Sequence, residues 1–219
     1  MEKTMTTTPQ PESKRHAIFL PFAGGGLGPR TNDESMINQA WLGINDVENR
    51  IYLSRLFPQT EAAQREWWLK PDTDKELVFV IYLGTTAIGT MGVHHIDYVH
   101  GHATTGTLIW SAEHRNQGIA TRAKLVLLEY LFDTLNLRRV YSHYIDYNGR
   151  SARYSDKCGY VEVGRLPGHF RFGPLLADEV TLMCERDTWL PCFVKYQSDN
   201  PTPHTREQLI AKHRTAAGK

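Results

Sequence analysis

The stretch with the clearest chemical potential is the one in which an apolar run, Gly106–Trp110, passes through a polar loop into a helix that opens at Gly118. The first amides of such a helix have no partner within the helix and lie at the positive end of its dipole. They can therefore cradle a phosphate or pyrophosphate group. Gly118 lets the backbone approach an anion closely, Ala120 is small, and the Thr121 hydroxyl can add a donor.

Three basic side chains, Arg115, Arg122 and Lys124, flank this helix start and can neutralise a bound anion. On these local features alone, an ordinary strand–turn–helix with surface cations is as good an interpretation as an anion site. The segment lacks the GxGxxG spacing of dinucleotide turns and the lysine of the P-loop, which disfavours dinucleotides and nucleoside triphosphates. The other glycine-rich stretch, Phe22–Pro29, matches neither pattern, and we interpret it as a flexible turn before the first strand.

Two spaced motifs resemble those of the GNAT superfamily of N-acetyltransferases. Arg115–Ala120 (RNQGIA) is similar to the family pattern (Q/R)xxGx(G/A), the loop that holds the pyrophosphate of acetyl-CoA. Asn148–Tyr160 (NGRSARYSDKCGY) is similar to the family helix that begins Nxx(S/A) and ends KxG(F/Y). The segment between the motifs resembles the branch of ribosomal-protein N-terminal acetyltransferases, the RimJ/RimL type. The likeness extends over residues 27–185.

This resemblance implies how acetyl-CoA is held as a co-substrate. The strand before the loop is expected to splay from its neighbour, so that the pantetheine arm pairs with the backbone of Leu108–Trp110. Amides of residues 117–121 are expected to hold the pyrophosphate, and Asn148 is expected to bond the pantetheine arm while it also caps its helix. The expected cofactor-binding residues are Leu108, Ile109, Trp110, Arg115, Asn116, Gln117, Gly118, Ile119, Ala120, Thr121 and Asn148.

The family reaction is direct attack of a neutral amine on the thioester, which needs a base, oxyanion donors and an acid for the leaving thiolate. Many relatives place the acid, a tyrosine, seven residues after the motif asparagine. That place is Ser155 here, and Tyr154 stands one residue earlier, about 100° around the helix. The RimJ/RimL branch implies a serine at the place of Ser151, which we favour over Tyr154. Packing of Ser151 against the sheet is an equally open interpretation.

The base has three candidates. The RimJ/RimL branch carries a glutamate in the strand after Gly164, and with a one-residue gap His169 falls near that place. A histidine with an ordinary pKa near ~6.5 suits the task, and a plain surface histidine is the alternative. Glu113, beside the cofactor loop, is the second candidate, with a solvated loop carboxylate as its alternative. His143, on a neighbouring strand, is the third.

The expected acceptor is a primary amine, either a protein or peptide N-terminus, as the RimJ/RimL likeness implies, or a small amine. An alternative function is a non-catalytic acyl-CoA-binding protein, because the family tyrosine is displaced and the family glutamate is missing. Side chains that can line an amine pocket are Tyr52, Trp67, Trp68, Asp97 and Asp146.

Hydrophobic periodicity predicts the elements that position these residues. Strands are predicted over 27–31, 76–83, 87–97, 103–110, 139–145, 160–166 and 180–185, and helices from Thr31, from Thr60, over 118–135 and over 148–158. The strand–helix–strand unit at 103–145 requires a parallel pair within a mostly antiparallel sheet. The predicted class is α/β (α+β) with the GNAT fold, a mixed sheet of about seven strands with a central parallel splayed pair and about four helices.

The 219 residues suffice for one such domain. We expect a disordered tail over 1–14, the GNAT domain over 15–189 and a polar tail over 190–219, in which a capping box at Thr205 predicts a short helix. A formal net charge of +1 gives no reason to expect nucleic acid or an acidic membrane as a partner.

Three cysteines without a CxxC pair favour a reducing cytoplasm over a disulfide framework or a zinc site. His94 and His95 are neighbours on a predicted strand and face opposite ways, so no metal is expected. Neither a signal peptide nor a membrane span is predicted. We expect a cytoplasmic monomer or homodimer.

Overall fold

An eight-stranded sheet forms the centre of the computed structural model, which describes residues 16–55 and 57–200. Its strands are β1 (Leu20–Phe22), β2 (Gly25–Pro29), β3 (Leu77–Leu83), β4 (Thr86–Asp97), β5 (His102–Ile109), β6 (Arg139–Ile145), β7 (Val161–Phe172) and β8 (Leu175–Glu185). Their spatial order is β1-β2-β3-β4-β5-β6-β8-β7, and every neighbouring pair is antiparallel except β5 and β6. The predicted mixed sheet with one parallel pair is confirmed, with eight strands instead of about seven.

Six α-helices accompany the sheet in the described ranges. They are α1 (Glu34–Asn45), α2 (Val47–Arg50), α3 (Glu61–Leu69), α4 (Ile119–Glu129), α5 (Gly149–Asp156) and α6 (Arg186–Asp199). α4 continues into a π-helical turn over Tyr130–Thr134, and a 3-10 turn spans Ala112–His114. The Thr60 hydroxyl caps α3 as predicted, accepting from the Ala63 amide at 3.2 Å. α1 starts later than predicted, because Asp33 and not Thr31 is its cap.

Side chains of β3 alternate between two apolar clusters, one on each face of the sheet. Phe79 and Ile81 join the larger cluster, which also contains the buried face of α4. Val80 and Tyr82 join the smaller cluster under α1 and α3. Helices therefore cover both faces of the sheet. A shift of one residue in the strand register would expose one of the two clusters.

The parallel pair separates soon after it forms. β5 and β6 pair only from His102–Thr104 to Arg139–Tyr141. Beyond that point β5 stays with β4 and β6 stays with β8, so the sheet remains intact on either side of the gap. The hydroxyl of Thr105 donates to the Tyr141 carbonyl at 3.3 Å, and the hydroxyl of Ser142 donates to the Thr105 carbonyl at 3.1 Å. Side-chain hydrogen bonds thus join β5 and β6 at the point where the pairing of their backbones ends.

The glycine-rich stretch before the first helix is a sheet hairpin and not the flexible turn that we interpreted from the sequence. β1 and β2 pair antiparallel around Gly24, whose φ is +85°. A Cβ at Gly25 would lie 2.2 Å from the carbonyl of Tyr82. The glycines therefore allow β2 to lie against β3, where a larger residue would separate the strands.

α6 extends past the predicted domain boundary at residue 189. Trp189, Phe193 and Tyr196 are buried along one side of it and join the larger cluster. Residues 190–199 therefore pack on the domain, and their interpretation as part of a polar tail is corrected. The predicted disordered segment 1–14 and the predicted helix near Thr205 lie outside the described residues. No helix among the described residues is long and apolar enough to cross a bilayer.

Candidate active site

A cavity of about 400 Å³ opens where β5 and β6 diverge. α4 and α5 both begin at this end of the sheet, because each follows the carboxyl end of one of the two parallel strands. Predicted site residues that line the cavity are Leu108, Ile109, Arg115, Asn116, Gly118, Ile119, Ala120, Thr121, Asn148, Ser151 and Tyr154. The fold thus brings both sequence motifs to one crevice.

The start of α4 leaves its first amides without helical partners. Gly118, the residue before the helix, has φ +71° and provides no side-chain cap. The first helical hydrogen bond runs from the Arg122 amide to the Gly118 carbonyl at 3.1 Å. The amides of residues 119–121 therefore lie ahead of the helical ladder, at the positive end of the helix dipole, and all three residues line the cavity.

The charged residues on the cavity wall are cations. Arg115, Arg150, Arg153 and Lys157 line it, and the described lining residues include no carboxylate. Arg115 is already engaged, since its guanidinium donates to the carbonyls of residues 109 and 110 and to the side chain of Asn49. Arg115 therefore fastens the loop to α2. Arg150 donates to the Tyr52 hydroxyl at 2.9 Å, and Arg153 and Lys157 complete the cationic wall.

Lys124 does not face the anion site as the sequence suggested. Its side chain is fully buried, and its Nζ has no hydrogen-bond partner among the described residues. The Nζ lies 5.9 Å from the ring centroid of Tyr154 and 6.0 Å from that of Tyr160. Burial lowers the pKa of Lys124 to about 8.

Two residues of the predicted cofactor set lie away from the cavity wall. The Trp110 side chain packs against Gly43 of α1 and against Trp68, whose ring centroid is 6.3 Å away. Alternation along β5 explains this, because Trp110 points to the face opposite Ile109. Gln117 turns its side chain back to the Glu113 carbonyl at 2.7 Å. The expected cofactor contacts of both residues are made by their backbone groups, and they stay a prediction.

The two acid candidates occupy the same wall of the cavity. The Tyr154 hydroxyl lies 2.9 Å from the hydroxyl of Thr107 on β5, and burial raises the pKa of this phenol far above its usual value. Ser151 lies one turn earlier, and its amide donates to the Asn148 side chain at 3.1 Å. Ser155, at the family position of the tyrosine, is buried, and its hydroxyl has no hydrogen-bond partner in the part of the chain that the structure describes. The helix therefore turns Tyr154, and not residue 155, toward the crevice.

A second cavity of about 220 Å³ adjoins the first. The two cavities share Tyr52, Leu53, Thr107, Asn148, Ser151 and Tyr154. The second cavity extends to His143 on β6 and to Glu179 on β8. Glu179 was missed in the sequence because the last strand was predicted to begin at Val180, one residue after it.

Glu179 lies between the two histidines considered as bases. Its Oε1 is 3.5 Å from His143 Nδ1, and its Oε2 is 3.9 Å from His169 Nε2. His143 lines the second cavity, whereas the His169 side chain is 47% exposed and lines neither cavity. The Glu113 side chain is 79% exposed and accepts a hydrogen bond from Ser111. The structure thus brings His143, and not Glu113, to the crevice.

Of the five side chains named for an amine pocket, only Tyr52 lines the cavities. Trp68 is buried in the smaller core cluster, and Trp67 packs under the guanidinium of Arg30. Asp97 accepts the His100 amide at the start of β5, the end opposite the crevice, and Asp146 follows the end of β6. Within residues 16–55 and 57–200, no three His, Cys, Asp or Glu side chains form a metal-ligand set.

Comparison with known proteins gives consistent matches. The acetyltransferase (GNAT) domain family matches residues 29–161. Spermidine N(1)-acetyltransferase of Vibrio cholerae is 32% identical over 83 residues, which are 38% of this chain and 47% of that protein. The match therefore spans about half the length of this curated relative.

Solved structures share the fold at lower identity. Spermidine N-acetyltransferase from Vibrio cholerae in complex with CoA and spermine superposes with a TM-score of 0.69 at 22% identity, over 77% of this chain and 99% of that chain. A GCN5-related N-acetyltransferase from Brucella melitensis gives 0.65 at 21% identity, over 89% of each chain. At these identities the likeness shows the fold alone.

Proposed function

This chain belongs to the GNAT acetyltransferase family, and from that premise we propose that it transfers the acetyl group of acetyl-CoA to a primary amine by direct attack. The observation that carries the proposal is one cavity in which a splayed strand edge meets the uncapped start of α4. A cationic wall without carboxylates suits a ligand that carries phosphates.

Three parts of the cavity suit three parts of acetyl-CoA. The edge of β5 beyond its pairing with β6 suits the amide-bearing pantetheine arm, because the backbone groups that face the gap have no partner strand among the described residues. The amides of residues 119–121 suit the pyrophosphate. Arg150, Arg153 and Lys157 supply charge for the phosphates. Asn148 caps α5 and lines the cavity, where the family likeness implies a hydrogen bond to the arm.

We assign the proton steps to Tyr154 and His143. The acceptor's ammonium loses a proton to His143, and the amine lone pair attacks the thioester carbon. The C–S bond breaks, and the thiolate takes the proton of Tyr154. The acylated nitrogen gives its remaining extra proton to solvent, which leaves a neutral amide, and the Tyr154 phenolate regains a proton from solvent. Burial keeps the phenol of Tyr154 neutral, which a proton donor requires. Ser151 is the rival donor, and His169 is the rival base through its contact with Glu179.

For the acceptor we favour a small alkylamine over a protein or peptide N-terminus. Two of the three matched proteins described above, both from Vibrio cholerae, are named for spermidine, and the second cavity has a carboxylate on its wall. A peptide N-terminus, the RimJ/RimL type of acceptor, is supported by the likeness of the segment between the two motifs.

The test is the release of free CoA thiol from acetyl-CoA with a panel of acceptors. Spermidine represents alkylamines, a peptide with a free N-terminus represents proteins, and the same peptide with a blocked N-terminus is its control. We expect thiol release with spermidine. Release of thiol with the free peptide alone would instead indicate an acceptor of the RimJ/RimL type. Tight binding of acetyl-CoA without thiol release for any amine would favour the non-catalytic alternative.

A further inference from the structure

We propose that Glu179 is the anchor for the ammonium group of a cationic aliphatic acceptor. This inference rests on the proposed acetyl transfer and adds to it the residue that selects the acceptor. Glu179 lies on β8 and pairs across the sheet with Ile145, the last residue of β6 before the chain leaves for α5. Its carboxylate therefore belongs to the strand next to β6, which itself borders the crevice.

The two adjoining cavities differ in the sign of their charges. The described lining of the first cavity carries arginines and lysine and no carboxylate. The described lining of the second carries Glu179 as its acidic residue and neither lysine nor arginine. Opposite signs on the two sides of Tyr154 and Ser151 match a reaction between an anionic cofactor and a cationic acceptor, because each cavity attracts one reactant and repels the other.

The carboxylate of Glu179 has capacity for a further cation. Charge-assisted hydrogen bonds from nitrogen to carboxylate have lengths of roughly 2.7–2.9 Å. The nearest atoms of His143 and His169 lie at 3.5 and 3.9 Å, and no described residue donates a hydrogen bond to either oxygen. The side chain is 22% exposed. A partly desolvated carboxylate of this kind attracts an ammonium more strongly than a surface carboxylate does.

The walls beside Glu179 suit the carbon chain of an alkylamine. Phe170 lines the second cavity together with Glu179, and aromatic faces accept both methylene groups and a nearby cation. Tyr154 lines the same cavity and the cofactor cavity as well. An acceptor anchored at Glu179 therefore lies in the cavity that leads to the candidate proton donor, with the reacting amine directed toward the cofactor side.

The experiment is calorimetric titration of spermidine into the full chain saturated with CoA, for the wild type and three variants. Glu179→Gln keeps the shape of the side chain and removes its charge. Glu179→Asp keeps the charge on a shorter side chain. Asp178→Asn is the matched control, because Asp178 is the adjacent residue on the opposite face of β8, where it pairs with Arg165 and the Gly168 amide.

We expect Glu179→Gln to weaken spermidine binding by roughly tenfold or more, which is about 1.4 kcal/mol or more. Glu179→Asp should retain most of the affinity, and Asp178→Asn should bind like the wild type although it removes the same charge. CoA binding should be unchanged in all three, and thermal stability should be unchanged in the two Glu179 variants. In steady-state assays the Glu179→Gln effect should be on the KM for spermidine more than on kcat.

Three results would overturn the inference: wild-type protein that binds CoA but not spermidine, equal affinity in Glu179→Gln and wild type, or equal losses in Glu179→Gln and Asp178→Asn. Failure of the proposed function itself gives a different result: the wild type would not bind CoA, or it would release no CoA thiol from acetyl-CoA with any amine. Titration and thiol release on the same proteins therefore distinguish the two failures.

Discussion

Replacing Lys124 by methionine should make the protein more stable at neutral pH. The lysine Nζ is fully buried and has no hydrogen-bond partner in the described part of the chain. Two tyrosine rings at about 6 Å offer weak compensation. Methionine has a similar length and fills the same space without the charge, so the folded state no longer carries the cost of burying it.

The size of the effect follows from the pKa of Lys124. Burial lowers it from an ordinary value of 10.5 to about 8. The folded state therefore holds fewer protons than the unfolded state between these values, and stability rises with pH across that window. Below pH 8 the full cost applies, at roughly 3 kcal/mol, since one pKa unit corresponds to about 1.4 kcal/mol. Between pH 8 and pH 9 the cost should shrink by about 1 kcal/mol.

Urea unfolding of the wild type and Lys124→Met at pH 7, 8 and 9 measures this directly. The variant should have the higher free energy of unfolding at pH 7, and the difference should narrow from pH 8 to pH 9. The buried cysteines and tyrosines are common to both proteins, so their titration largely cancels in the difference. Lys195→Met, at an exposed position of α6, is the control and should show no such pH dependence. A difference that stays constant with pH, or a less stable Lys124→Met at pH 7, would refute the reasoning.

Three further outcomes are expected. Ala120→Asp places a carboxylate in the first turn of α4, where it should stabilise the helix by ~0.5 kcal/mol. The same charge should weaken acetyl-CoA binding at least tenfold in calorimetry, whereas Ala120→Asn should lose much less affinity. Tyr154→Phe should lower kcat by roughly 10²-fold with little change in acetyl-CoA affinity, and a larger kcat loss in Ser151→Ala would reverse the assignment of the acid. Trp189→Ala should lower the free energy of unfolding in urea by ~3–5 kcal/mol, because the indole is 1% exposed and donates to the Leu125 carbonyl at 3.1 Å. Leu190→Ala, on the exposed side of α6, should lower it little. Equal losses at the two positions would contradict the packing of α6.

Local patterns predicted the centre of the fold well. β3–β6 appear where β-branched and aromatic runs indicated them, and α4 follows its apolar periodicity. The splay of β5 from β6 came from the family likeness and has no local sign in the sequence. The two strands can separate because β5 stays paired with β4 and β6 stays paired with β8. These pairings exist only in the assembled sheet.

Elements with breaker residues were predicted less well. α6 contains Pro191 and many polar residues, and its buried stripe consists only of Trp189, Phe193 and Tyr196. The hairpin of β7 and β8 extends through Pro167 to Gly173, where a bulge and an edge position tolerate residues that normally end a strand. In both places tertiary burial outweighs local propensity.

The candidate site, like the fold, could be predicted only in part. Most residues of the predicted cofactor loop line the first cavity, because a motif indicates where the strand passes into the helix, and their contacts with acetyl-CoA stay a prediction. Glu179 and the burial of Lys124 could not be predicted, since the first depends on which strand borders the crevice and the second on which face of α4 meets the sheet. A charged residue in a sequence predicts a side chain exposed to solvent. Only the packed structure shows that Lys124 is an exception.

The most direct test of the account is the thermal unfolding of the full chain with saturating acetyl-CoA, with ATP and NAD as controls. A ligand at about 100 times its dissociation constant adds about 2.7 kcal/mol to the stability of the folded state. The account predicts a clear rise in Tm with acetyl-CoA and none with NAD or ATP. No rise with acetyl-CoA, together with a blank calorimetric titration, would contradict the cofactor site at the fork of β5 and β6 and the acetyltransferase function proposed from it.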